Sequence, residues 1–157
     1  MADQKPPQLC VGEMETFRAL LQYQRESFVR KLNGVDEAVA RRSVVESGTT
    51  LFWLARHMAQ AERTWVLVRF AGHPKDEAET ASERVTLEEA LTFYEQTWRD
   101  VDRVLDSASS GDDRCQGLGP EAEVNLRWVI AHLLEETARH AGHADILREL
   151  IDGSIGR

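Results

Sequence analysis

Apolar residues recur at helical spacing in four long stretches, and nowhere do they alternate with the period of two that a half-buried strand needs. From Glu13 to Leu32 the apolar positions are Phe17, Leu20, Leu21, Phe28 and Leu32, and Asn33-Gly34 supplies a stop. Asp36 opens a short helical piece, Glu37 to Arg42, and Ser47-Gly48 breaks the chain again. The next helix, capped by Thr49 or Thr50, runs to about Phe70 and stops at Gly72 with Pro74 beyond it. Its predicted buried stripe is Thr50, Trp53, Leu54, His57, Ala61, Thr64, Trp65 and Val68. Thr86-Leu-Glu-Glu89 reads as a capping box, and the helix behind it has the cleanest period: Leu87, Leu91, Tyr94, Trp98, Val101, Leu105. The last helix carries Leu126, Ile130, Leu133, Ala144, Leu147 and Ile151 on its apolar stripe and is closed by Asp152-Gly153.

Two of the connections are long. Gly72 to Val85 is acidic, contains Pro74 and lacks a core face, and its length permits a crossover between parallel neighbours rather than a tight hairpin. Ser107 to Pro120 is rich in Ser, Gly and Asp. The expected fold is an all-α four-helix bundle with a crossover between the second and third long helices, one domain over residues 1–157, with 1–11 as a disordered lead-in.

Composition narrows the partners. The net charge of -8, with 27 acidic against 19 basic residues, gives no general attraction to phosphate backbones, so nucleic acid is excluded as a partner. No apolar run approaches the roughly 18 residues that span a bilayer, and the N-terminus has no apolar signal core. Cys10 and Cys115 match neither a disulfide framework nor a zinc ribbon. They read as free thiols in a cytoplasmic protein. A homodimer paired through an exposed helix face is an open expectation.

The candidate chemistry lies in the last helix, which holds three of the five histidines. At about 100° per residue, His132, Glu136, His140 and His143 share one narrow stripe. Glu136 and His140, four apart, form a chelating pair, and His140 also belongs to the apolar stripe. A third ligand must come from another helix, where His57 stands on an apolar face. Two His and one Glu give zinc three protein ligands and an open fourth position, as in catalytic sites. His132 and His143, each one turn outside the pair, are candidate pocket residues or proton acceptors. Against this stands a solvated polar face, with Glu136 paired to Arg139 or Arg148 and His57 an ordinary core histidine. Two other patterns fail on spacing. His132-Leu-Leu-Glu-Glu136 is not a metalloprotease motif, and Leu54 stands where a di-iron bundle would need a Glu three residues before His57.

The segments from Ser47-Gly-Thr-Thr-Leu-Phe-Trp-Leu-Ala-Arg-His57 to Arg63, and from Leu126 through Glu135-Glu-Thr-Ala-Arg-His140-Ala-Gly-His to Glu149, resemble the DinB/YfiT-like superfamily. More narrowly they resemble its actinobacterial, mycothiol-associated branch. The resemblance covers nearly the whole chain. It implies a four-helix bundle with a crossover, holding a divalent metal by one His of the second long helix and two ligands of the fourth. Many members carry His-x-x-x-His in the fourth helix. Here Glu136 takes the first of those positions, as in the metal-binding domain of mycothiol-dependent maleylpyruvate isomerase, whose additional C-terminal domain this chain has no room for. The carry-over is His57, Glu136 and His140 as metal ligands. The implied function is a transferase that activates a low-molecular-weight thiol, mycothiol, for attack on an electrophilic small molecule. Zinc is the expected metal, with nickel and iron compatible with the same ligands. A non-catalytic metal-binding stress protein and a metal-dependent hydrolase are the alternatives.

Overall fold

The structure is a computed structural model that describes residues 5–75, 85–117 and 123–155. The start of the expected lead-in (1–4), the middle of the expected crossover loop (76–84) and part of the second loop (118–122) lie outside the described residues.

Helix α1 spans Glu13–Leu32, with Glu13 and Glu15 in its first turn and Arg30 and Lys31 in its last, each sign matched to the helix dipole. Asp36 caps α2, Glu37–Ala40, by accepting from the Ala38 and Val39 amides. This helix is shorter than the expected Glu37–Arg42. Its chain tightens at the end, where the Arg42 amide bonds Val39 O at 3.1 Å, three residues back. Helix α3, Leu51–Glu62, is capped by Thr50 and continues as a π-helical segment, Arg63–Phe70. Helix α4, Leu87–Ser107, starts with both bonds of the Thr86–Glu89 capping box. Helix α5, Leu126–Asp152, is capped by Asn125 and ends at Gly153 with φ 74°, a left-handed conformation that glycine adopts at little cost. Among the described residues the only β pairing is an isolated bridge between Arg114 and Asn125.

Two apolar clusters define the helix directions. One joins Phe28 and Leu32 of α1, Leu51 to Ala59 of α3, Leu87 to Tyr94 of α4 and Ala141 to Leu147 of α5. The other joins Leu21, Val66 to Phe70, Val101 and Leu105, and Leu126 to Leu133. The starts of α3 and α4 therefore lie together and so do their ends, which makes them parallel and makes the link between them a crossover. By the same reasoning α1 and α5 are parallel to each other and antiparallel to that pair. The four long helices pack as the expected bundle.

Between the clusters lies a polar layer that the hydrophobic pattern did not announce. Arg25 of α1 grips Glu62 of α3 with two bonds, 2.9 and 2.5 Å, and the Tyr94 hydroxyl of α4 donates to Glu62 at 3.0 Å. Arg25 also reaches Asp102 at 3.1 Å. Burial opposes the Arg25 charge, but Glu62 more than offsets this and holds its pKa above the ordinary value. Tyr94 is pushed well above the usual phenol range, first by burial and then by the Glu62 charge.

The stripe expected on the second long helix is corrected. Leu54 and Ala61 of that stripe are buried, but they are joined by Leu51, Ala55, Met58, Glu62 and Val66, while Trp53 is 49% exposed and Thr50, His57, Thr64, Trp65 and Val68 are partly buried. For Thr64, Trp65 and Val68 the physical reason is the change of period. From Arg63 onward the turn widens, as in the bond from the Ala71 amide to Val66 O at 2.9 Å, five residues back. His57 and Trp53 precede that segment, and they stand at the edge of the core because α3 turns the face of Leu51, Leu54, Ala55, Met58 and Glu62 inward.

Candidate metal centre

The antiparallel packing of α3 on α5 brings His57 to the Glu136–His140 pair. Glu136 Oε1 lies 3.0 Å from His57 Nε2 and 3.2 Å from His140 Nε2, so one carboxylate oxygen joins two imidazoles from different helices. One ligand atom from each of the three residues falls within 4.8 Å of the others. Metal bonds of about 2.0–2.1 Å in a tetrahedron need ligand-to-ligand edges of roughly 3.3 Å. The two His–Glu separations already approach that, and the donor set of two nitrogens and one carboxylate suits a borderline metal ion. The residues fit a divalent cation with one position left for a substrate atom.

The surroundings hold the rings in place. The Trp53 ring stacks on His57 with centroids 4.7 Å apart and planes 8° from parallel, and its edge meets His140 at 6.2 Å. His140 is 9% exposed, and its Nδ1 lies 3.1 Å from His143 Nδ1. Burial and the neighbouring His57 lower the pKa of His140 against the pull of Glu136, which favours the neutral ring that a metal requires. Burial alone would raise the Glu136 carboxyl. The hydrogen bond to His57 and the influence of His140 outweigh it, and the group is held below the usual carboxylate range.

The solvated-face alternative does not describe this arrangement. Arg139 pairs with Glu135 rather than Glu136, and Arg148 pairs with Asp152. The expected stripe is brought together in part. His57, Glu136 and His140 converge, exposed His143 leans on His140, and His132 joins a different group. Its ring stacks on Trp128 at 5.0 Å and 19°, meets the edge of Trp65 at 4.7 Å, and has Glu135 Oε2 at 3.6 Å from Nδ1. Cys10 is exposed and Cys115 half-buried, both as free thiols, and burial pushes the Cys115 thiol up.

Sequence reasoning missed the aromatic frame. The expected stripe puts Trp53 in the core and has no place for Trp128, yet each stands four residues before a histidine, Trp53 to His57 and Trp128 to His132. That spacing stacks a ring on the imidazole one turn away, and its appearance on both helices was the available signal.

Among the described residues no helix is long and apolar enough to cross a membrane. A search of curated proteins finds no match. A family model described as mycothiol-S-transferase matches residues 16–153, a span that takes in α3, α4, α5 and nearly all of α1. With the bundle, its crossover and the two-helix cluster, that match makes the chain a member of the mycothiol-S-transferase family of the DinB/YfiT-like superfamily.

Proposed function

We propose that this protein is a zinc-dependent mycothiol S-transferase whose metal is held by His57, Glu136 and His140. The observation that carries the reading is the meeting of those three donors across α3 and α5, within 4.8 Å of one another, in a chain of this family. A bound divalent cation would supply Lewis acidity, lowering the pKa of a thiol at the open position so that sulfur is nucleophilic near neutral pH.

The chain's own residues do the rest. Glu136 brings the negative charge that two neutral imidazoles lack, which sets the charge of the ligand set at minus one. Trp53 locks the plane of His57 by stacking on it. His143 takes the hydrogen bond at His140 Nδ1, leaving His140 Nε2 directed at the cluster. With His57 and Glu136 side chains 28% and 18% exposed, the thiol proton can leave to water on the open side. As the sulfur–carbon bond forms, the electrophile's leaving group, bromide for a bromobimane, departs to water with the electron pair of its broken carbon bond. The reaction belongs in the cytoplasm, where small thiols stay reduced.

The experiment is metal analysis of tag-free protein together with thiol consumption against monobromobimane. One equivalent of zinc and metal-dependent mycothiol transfer are expected, both lost in His57→Ala. Unchanged turnover in a metal-free His57→Ala protein would overturn the reading. Product formed at the same rate without thiol would point to hydrolysis instead.

A further inference from the structure

The seam between α3 and α5 continues past the His–Glu cluster into a second constellation that the chemistry above does not use. Trp65, Trp128 and His132 form a three-ring group with centroids 4.7 to 5.1 Å apart, and the Arg69 guanidinium lies 4.0 Å over the Trp65 ring. Trp128 remains 44% exposed. His132 is one turn from Glu136, and the middle of the platform lies about 12 Å along α5 from the middle of the Glu136–His140 pair.

We infer that this platform is the subsite for the sugar portion of the thiol cosubstrate. The inference deepens the transferase reading and takes its choice of occupant from it. A thiol carried on a glucosamine–inositol pair must hold its cysteine sulfur at the reactive position while its rings extend to one side, and the platform lies on one side of the cluster along α5. Carbohydrate rings are recognised by stacking their C–H faces on indole while charged side chains bond the hydroxyls at the rim. Here Trp128 is 44% exposed, the Arg69 guanidinium covers the Trp65 ring, and Glu135 stands beside His132.

The opposite end of the site has a different character. There Trp53 is half exposed, and Ile146 and Leu150 are open to solvent further along α5.

The test compares mycothiol with N-acetylcysteine, which carries the same reacting sulfur without sugars, in wild type and Trp128→Ala. Trp128 is half exposed, so the variant is expected to fold, and its thermal melt checks this. The expected result is a KM for mycothiol raised about tenfold, the loss of one aromatic contact, with kcat retained and kcat/KM for N-acetylcysteine unchanged. An unchanged KM, or an equal loss with both thiols, overturns the inference while leaving the transferase reading intact. If wild type transfers neither thiol, the transferase reading fails, and titration with thiol-free glucosaminyl-inositol, followed by tryptophan fluorescence, decides the subsite alone. Saturable quenching that Trp128→Ala abolishes supports it, and no saturable change overturns it.

Discussion

Glu136 Oε1 touches both His57 and His140, so the carboxylate ties α3 to α5 as well as being a ligand of the proposed metal site. Glu136→Gln keeps the shape but removes the charge and one acceptor oxygen. Zinc bound at stoichiometric protein is expected to fall steeply, measured by metal analysis after dialysis, while helical circular dichroism is retained. His143 meets His140 at Nδ1, and in the proposed site it would support the donor set from there. His143→Ala is expected to weaken zinc binding by about 10-fold or more, the usual cost of losing such a partner. Competition with a chromophoric chelator reads this directly. An affinity equal to wild type would show that the His140 ring is held by packing alone.

The elements were legible where local rules decide them. Helix α1 occupies the predicted Glu13–Leu32, and the Thr86 box and the Gly153 stop fall where their residue types demand. Thr86→Ala should cost about 1 kcal/mol in urea unfolding, the usual value of an N-cap. The π-helical segment was not legible, because Arg63–Phe70 has an ordinary helical composition and its register is set from outside. The loop before α5 docks on its end, with the Gln116 and Gly117 amides bonding Phe70 O and Arg69 O at 2.9 and 2.8 Å. At Gly117 a Cβ would sit 2.0 Å from Val68 O, a backbone atom that cannot step aside. Gly117→Ala is therefore expected to destabilise by about 2 kcal/mol, as overpacking against fixed atoms does, and to disturb the Trp65 platform. Equal thermal melting of variant and wild type would contradict this account of the docking.

Across the whole molecule, the Arg25–Glu62–Tyr94 layer ties three helices at mid-height between two apolar clusters. Removing one partner leaves a buried charge partly uncompensated, so Glu62→Ala should cost about 3–5 kcal/mol, against a much smaller effect for an exposed glutamate such as Glu88. The layer also sets a pH limit. Because folding raises the Tyr94 pKa, its contribution to stability is complete below the ordinary phenol value of 10.0. That contribution is lost as pH rises toward the folded value. Absorbance of tyrosinate from Tyr94 should therefore appear only together with loss of helical circular dichroism, and ionisation of Tyr94 in the folded protein would refute the argument.

The sequence by itself determined the four long helices, their caps and the placing of Glu136 and His140 one turn apart on one face. Each depends on spacing within one helix, and the 3.6-residue period makes that spacing geometric. The resemblance carried by the His57 and Glu136–His140 segments extended this to the bundle and its chemistry. Tertiary structure alone decided that α3 runs antiparallel to α5 and delivers His57 to the pair. It also decided that Trp53 frames the site instead of filling the core, and that Glu62, absent from the expected stripe, is buried against Arg25. These are meetings between residues far apart in the chain, and the change to a π-helical turn rotates side chains without any mark in composition. A pattern read along one helix has no access to what the neighbouring helix brings to it.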